Sequence, residues 1–163
     1  MTKKLASTPK IKYIHGDQNA LDQIKLLWEG LNQCMCERSI YFKQHFVAMT
    51  WEIRKSELLK QAACGLMRID IGIDEITSEA VGYLVSSFNS EKIGCVESIF
   101  VSEGYRGIGI GDKLMRNALA WMNEYGAIEK VLEVTVGNEN VYGFYGRYGF
   151  LPRQTLLKQV KNV

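Results

Sequence analysis

Ile99-Phe100-Val101-Ser102-Glu103-Gly104-Tyr105-Arg106-Gly107-Ile108-Gly109-Ile110-Gly111-Asp112 passes from an apolar run into a glycine-rich turn and out into a helical pattern. The apolar run reads as a strand. The pattern beyond it places Leu114, Met115, Ala118, Leu119 and Met122 on one face and predicts a helix from about Gly109 to Tyr125. Glycines between a strand and a helix let the backbone take positive φ and come close to a ligand. The first N–H groups of the helix have no internal acceptors and carry the positive end of its dipole, so this junction suits a phosphate or pyrophosphate. A dinucleotide fingerprint is absent, because G-x-G-x-x-G ends on Asp112 when counted from Gly107 and on Leu114 when counted from Gly109. A P-loop is absent too, since no Gly-Lys-Ser/Thr follows. What stands is Arg106-x-x-Gly109-x-Gly111.

Upstream of the turn, Lys92–Val101 is preceded by two further strand-like runs, Leu66–Ile73 and Ala80–Phe88, with the polar turn Asp74–Glu79 between them. Earlier still, Leu21, Ile24, Leu27, Trp28 and Leu31 form one helical stripe, with Asp17 as its N-cap. Phe42, Phe46, Met49 and Ile53 form a second. Ile11–His15 reads as an opening strand. Downstream, Lys130–Val136 reads as a buried strand, Asn140–Arg147 as a short helix and Phe150–Val160 as a final strand or hairpin. The order β, α, α, β, β, β, α, β, α, β is that of one mixed α/β (α+β) domain. Residues 1–9, rich in lysine, are expected to be a flexible tail.

The composition narrows the function. With 20 Lys+Arg against 18 Asp+Glu over 163 residues, the chain lacks the basic excess of a nucleic-acid binder. No apolar run is long enough to span a bilayer, so no membrane association is expected. Cys34, Cys36, Cys64 and Cys95 follow no secretory leader, which points to reduced thiols and a cytoplasmic location. Cys34 and Cys36 lie two apart in a helical pattern and have no Cys or His partners at zinc spacing, so no metal is expected. His15 and His45 stand apart from every motif.

The turn resembles motif A of the GNAT superfamily of N-acetyltransferases, Arg/Gln-x-x-Gly-x-Gly/Ala. Asn138-Glu139-Asn140-Val141-Tyr142-Gly143-Phe144-Tyr145 with Gly149-Phe150 resembles its motif B, Asn-x-x-Ala-x-x-Phe-Tyr-x-x-x-Gly-Phe. Val141 stands where the motif has Ala, and Gly143 and Gly146 weaken the expected helix by about 1 kcal/mol each. The resemblance implies a GNAT-like acyltransferase fold: a central, mostly antiparallel twisted sheet of about six to seven strands flanked by about four helices. It implies a single N-acetyltransferase domain over residues 1–163, with acetyl-CoA as co-substrate, an amine as acceptor, and a homodimer as the assembly.

Carried over residue by residue, the resemblance gives the pyrophosphate to Arg106, Gly107, Ile108, Gly109, Ile110, Gly111 and Asp112. It gives the pantetheine amides to Ile99, Phe100 and Val101, and a further cofactor contact to Asn138 on the next strand. Tyr145 is the expected proton donor to the leaving thiolate, close to the cofactor sulfur. The expected base is Glu97, which period two places on one face with Cys95, Ile99 and Val101, among apolar neighbours. A base is needed because only about one lysine-like amine in 2,500 is neutral at pH 7. The acceptor stays open among small amines, amino acids and protein amines. Asp70, Asp74, Glu75, Glu79, Glu91 and Glu97 against Lys92 read either as an acidic rim that steers a cation or as solvated hairpin charges. A catalytically silent acyl-CoA-binding module and a donor other than acetyl-CoA remain as alternative readings.

Overall fold

A computed structural model describes residues 8–160. Five strands form one sheet in the order β1 (Ile11–Gly16), β2 (Gly65–Asp74), β3 (Ala80–Asn89), β4 (Ile93–Val101) and β5 (Glu129–Leu132). The first four run antiparallel to their neighbours, and β5 runs parallel to β4. Five helices accompany them: α1 (Lys25–Arg38), α2 (Lys43–Ala48), α3 (Trp51–Ala63), α4 (Ile110–Glu124) and α5 (Tyr142–Gly146). The flexible tail expected over residues 1–9 falls mostly outside the described residues.

Each sheet face has its own apolar layer. Leu21, Leu27 and Trp28 before and within α1, with Trp51 and Leu58 of α3, pack on Ile69, Ile71, Tyr83 and Val85. On the opposite face, Leu114, Met115, Ala118 and Met122 of α4 cover Leu84 and Val96. The glycine turn is thus clamped between a buried strand and a buried helix.

Several elements differ from the sequence expectation. The first helix opens with a 3₁₀ turn, Gln18–Ile24, and the Asp17 side chain accepts from the Asn19 amide as its N-cap. The second helical stretch is two helices. Thr50 is extended and caps α3 by accepting from Ile53 N, and this break turns Trp51 and Leu58 inward while Ile53 stays exposed. β5 has four residues rather than seven, and it is not buried: it has a strand on one side only, and Val131 and Val136 are exposed. Residues 151–160 form no strand and are exposed throughout. Among the described residues, five strands and five helices therefore replace the expected six to seven strands and four helices.

Candidate active site

The turn adopts the backbone its glycines permit. Gly107 and Gly109 have φ of +79° and +90°, and no atom lies within 4 Å of where a Cβ would stand on either. Gly109 is the N-cap of α4 and has no side chain to satisfy the helix's opening amides. Ile110 is buried and anchors the first turn, its Cγ2 lying 3.0 Å from the Cβ position of Gly82 on the sheet. Ile108 is exposed. Asp112 carries the one carboxylate of this first turn. Its oxygens accept from the Tyr148 hydroxyl and from Arg116 Nε, at 2.8 Å for the latter. These contacts, Tyr148 first, hold it below the usual carboxylate range. The Asp112 charge is therefore partnered, and the opening amides remain available to an anion.

β4 and β5 separate beside this turn. β5 pairs with β4 only from Ile93 to Val96. Glu97–Val101 keeps β3 on one side and has no strand on the other. Ser102 N donates to Val81 O, and the antiparallel ladder alternates from there. The peptide groups of Phe100 and Ser98 therefore turn to β3, while those of Ile99 and Val101 turn to the open side. Arg106 Nε donates to Val101 O at 2.9 Å, and its guanidinium lies over the Phe100 ring. The Arg106 side chain thus closes the end of β4. The result is a wedge with a bare strand edge along one wall and a helix N-terminus at its end.

Glu97 sits at the vertex of the wedge on a β-bulge. Val85 pairs with Ser98, and Ser86 pairs with Val96, so Glu97 has no partner residue on β3. The extra residue shifts the phase of the strand. Ile99 and Val101 pack toward α4, whereas Glu97 faces α3 on the opposite side. The expected common face of Cys95, Glu97, Ile99 and Val101 is therefore broken between Glu97 and Ile99. The surroundings are polar rather than apolar. Ser87 Oγ donates to Glu97 Oε1 at 2.6 Å, Arg54 Nη2 lies 3.8 Å from Oε2, and the same nitrogen donates to Glu97 O at 3.1 Å. The Glu97 side chain is 14% exposed.

Tyr145 lies on α5, and with Ile99, Val101 and Phe144 it belongs to the partly buried rim of the α4-side cluster. Burial pushes its phenol up to about 12. Phe144 reaches Gly111, its ring 3.4 Å from the Cβ position there, so α5 is seated against the start of α4. Asn138 is on a loop and not on a strand, because β5 ends six residues earlier. Its Oδ1 accepts from Arg38 Nη1, which also donates to Asn140 Oδ1 at 3.3 Å. Beside it, Gly137 has φ +98°, and its Cβ position lies 2.3 Å from Arg38 O, so only glycine lets this loop lie against the end of α1.

Three residues of this region escaped the sequence reading. Arg54 and Arg38 come from helices remote in sequence from Glu97 and Asn138, and nothing local announces those contacts. Glu133 lies just past β5, two residues after Val131, the register partner of Cys95. Burial pushes the Cys95 thiol up to about 12, and the carboxylates of Glu97 and Glu133 add to the effect. Both carboxylates thus stand near the vertex. Three carboxylates of the expected acidic rim, by contrast, are partnered within the fold. Asp70 is buried in a two-toothed contact with Arg68, Asp74 accepts from Tyr105 and the Ile76 amide, and Glu75 pairs with Lys10. Among the described residues no cluster of three or more His, Cys, Asp or Glu is placed to hold a metal ion.

A strand edge with unpaired peptide groups thus opens onto a glycine-capped helix N-terminus suited to an anion. Residues 32–150 match the model of the Acetyltransferase (GNAT) family, and the chain belongs to that family. An uncharacterized N-acetyltransferase of Archaeoglobus fulgidus is 39% identical over 74 residues, which are 42% of this chain and 49% of that protein. The N-alpha-acetyltransferase 30 of Schizosaccharomyces pombe is 38% identical over 69 residues, 42% of this chain and 46% of that protein. The chain thus spans about half the length of these curated relatives. Among solved structures, a GCN5-related N-acetyltransferase from Ralstonia eutropha JMP134 superposes with a TM-score of 0.73 at 19% identity, covering 93% of this chain and 99% of that one. A putative acetyl transferase from Pyrococcus furiosus gives 0.67 at 24%, covering 91% and 99%. These two likenesses establish the fold.

Proposed function

We propose that this chain is an N-acetyltransferase that moves the acetyl group of acetyl-CoA to a primary amine by direct attack in a ternary complex. The observation that carries this reading is the open edge of β4 ending on the uncapped start of α4. Acetyl-CoA supplies an activated acyl group and a thiol that can leave. The fit lies in the chain's own groups. In this reading the turn from Gly107 to Asp112, open at the Cβ positions of Gly107 and Gly109, takes the diphosphate, the peptide groups of Ile99 and the N–H of Val101 meet an extended chain of amides, and Asn138 supplies a further contact. In this proposal the side chain of Arg106 braces β4, and the turn's backbone grips the anion.

The chemistry divides between two side chains. The amine nitrogen forms a bond to the acetyl carbon, the carbon–sulfur bond breaks, and the amine's proton passes to Glu97, directly or through water. Tyr145 donates a proton to the departing sulfur. An N–H of β4 polarises the carbonyl. The preferred acceptor in this reading is a peptide's α-amine. Matched relatives are N-alpha-acetyltransferases, and an α-amine with a pKa near 8 is about one-tenth neutral at pH 7, far easier to activate than lysine. The protein is a single-domain, cytoplasmic homodimer in the same proposal.

The test is thiol release from acetyl-CoA with three acceptors: a peptide with a free N-terminus, the same peptide N-terminally blocked but bearing lysine, and a polyamine. Saturable turnover on the first is expected. Calorimetric binding of CoA with no turnover on any of the three overturns the enzymatic reading, and turnover confined to lysine or polyamine overturns the choice of acceptor.

A further inference from the structure

β4 carries one residue too many for β3, and the surplus falls at Glu97. A bulge disrupts the ladder locally and leaves its extra residue unpaired. Here it also sets two successive side chains on the α3 side of the sheet. Ser98 Oγ hydrogen-bonds the hydroxyl of the wholly buried Tyr83, and Glu97 faces Arg54. A backbone carbonyl freed from the ladder in such a place needs a donor from elsewhere, because a buried acceptor without one is costly.

Arg54 of α3 is that donor. Its Nη2 donates to Glu97 O at 3.1 Å and lies 3.8 Å from Glu97 Oε2. Its Nη1 donates to Glu57 Oε2 at 3.3 Å, three residues along the same helix. The planar fork of one guanidinium thus holds both the backbone and the carboxylate of Glu97, with its other branch fastened to α3. At 3.8 Å the contact with Oε2 is one of charge and not a hydrogen bond, so Arg54 leaves the lone pairs of that oxygen unfilled. Oε1 is tethered separately by Ser87 Oγ at 2.6 Å. One oxygen is fixed and the other is steered, which suits a group that must receive a proton. The remaining titratable neighbours place the guanidinium on the inside of the vertex. Burial raises the Tyr83 phenol and the Cys95 thiol, the carboxylates of Glu97 and Glu133 add to the second, and the Arg54 charge works against both shifts. Among the described residues Arg54 is the one cation paired with Glu97.

We propose that Arg54 is a positioning residue for acetyl transfer, locking the β4 bulge and so aiming the Glu97 carboxylate at the incoming amine. Arg54 itself touches neither the thioester nor the amine. The inference rests on the base role proposed above for Glu97.

The experiment follows thiol release from acetyl-CoA, with whichever of the three acceptors turns over, in the full-length wild type, Arg54→Ala, Glu97→Gln and the double variant. Alanine keeps the helix propensity of α3, and Arg54→Lys, which retains the charge without the fork, carries the same comparison if the alanine chain fails to fold by circular dichroism. Arg54→Ala is expected to lower kcat about 10–10²-fold, with the KM for acetyl-CoA held within about twofold. Added methylguanidinium should restore part of that loss. In the Glu97→Gln background the same substitution should cost less than about twofold, because the group it aims is already gone. In the ligand-free chain, amide exchange at Glu97–Ile99 should quicken about tenfold while Ile69 and Leu114 in the two core layers are unchanged. An equal loss in both backgrounds, a KM for acetyl-CoA that rises in step with the fall in kcat, or exchange at Glu97–Ile99 that does not respond overturns the positioning role. Wild-type turnover by Arg54→Ala beside a crippled Glu97→Gln overturns this inference alone. Wild-type turnover by Glu97→Gln, or no turnover with any acceptor, overturns the base role and this inference with it.

Discussion

Glu97 owes its position to one extra residue in β4, and its test follows from the acceptor's ionisation. Glu97→Gln keeps the shape and the hydrogen bond from Ser87 but removes the proton acceptor. At pH 7 kcat/KM should fall about 10²–10⁴-fold. Above the acceptor's pKa, near 8 for an α-amine and near 10.4 for lysine, the amine is already neutral and the gap should close. A wild-type to variant ratio that stays flat from pH 6 to 10 rejects the base role. Tyr145 behaves differently. Its phenol, pushed up to about 12, keeps its proton across that range, so Tyr145→Phe should slow turnover about 10²–10⁴-fold with no pH dependence below pH 10. Near-normal turnover would give the donor role to water. Motif and spacing nominate both residues for the proposed roles, but they do not give the setting of Glu97. Alternation along a strand assumes an unbroken ladder, and the bulge that turns Glu97 toward Arg54 comes from the pairing of β4 with β3, which no local pattern encodes.

At the level of elements, what matters is how α5 is held to the start of α4. The contact from Tyr148 to Asp112 is the tie, with Phe144 against Gly111 beside it. Asp112 is held low by Tyr148 and Arg116, so the tie contributes stability above the ordinary carboxylate range. That contribution is lost as pH falls through the depressed folded value. Tyr148→Phe should therefore lower the thermal midpoint by a few degrees at pH 7, with the difference shrinking as pH falls below the ordinary carboxylate range, as followed by circular dichroism. It should also raise the KM for acetyl-CoA, because the opening turn of α4 loses its brace. A midpoint difference that persists unchanged to pH 2 would assign the effect to packing alone. Periodicity foretold β2, β3, β4 and α4 well, since each is long and buried on at least one face. It failed where burial ends. Residues 130–136 and 150–160 both carry apolar side chains, yet a strand needs a neighbour, and among the described residues β5 has one on a single side while 151–160 has none.

On the scale of the whole molecule, the layered core and the wedge have opposite characters. Ile69, Leu84, Leu114, Met115 and Met122 are wholly shielded from solvent on the two faces of the sheet, and they hold β4 and α4 rigidly on either side of the turn. The wedge lies at the margin of the α4-side layer, where β5 is short and the loop bearing Asn138 is fastened through Arg38. A ligand that fills the wedge should therefore act on the whole fold by linkage. At 100 times its dissociation constant, acetyl-CoA should add about 2.7 kcal/mol to the folded state. For a chain of this length that is a rise of about 5–10 °C in the thermal midpoint. The distribution of the effect is the sharper measurement. Amide exchange should slow most at Gly107–Asp112, whose N–H groups are proposed to receive the diphosphate, and at Ile99 and Val101, which turn to the open side of β4. The edge amides of β1, on the far side of the sheet, should be unaffected in their local opening. Uniform slowing across the sheet would indicate stabilisation without contact at the turn. Absence of slowing at Gly109–Asp112 at saturating acetyl-CoA would remove the anion site on which the proposed chemistry rests.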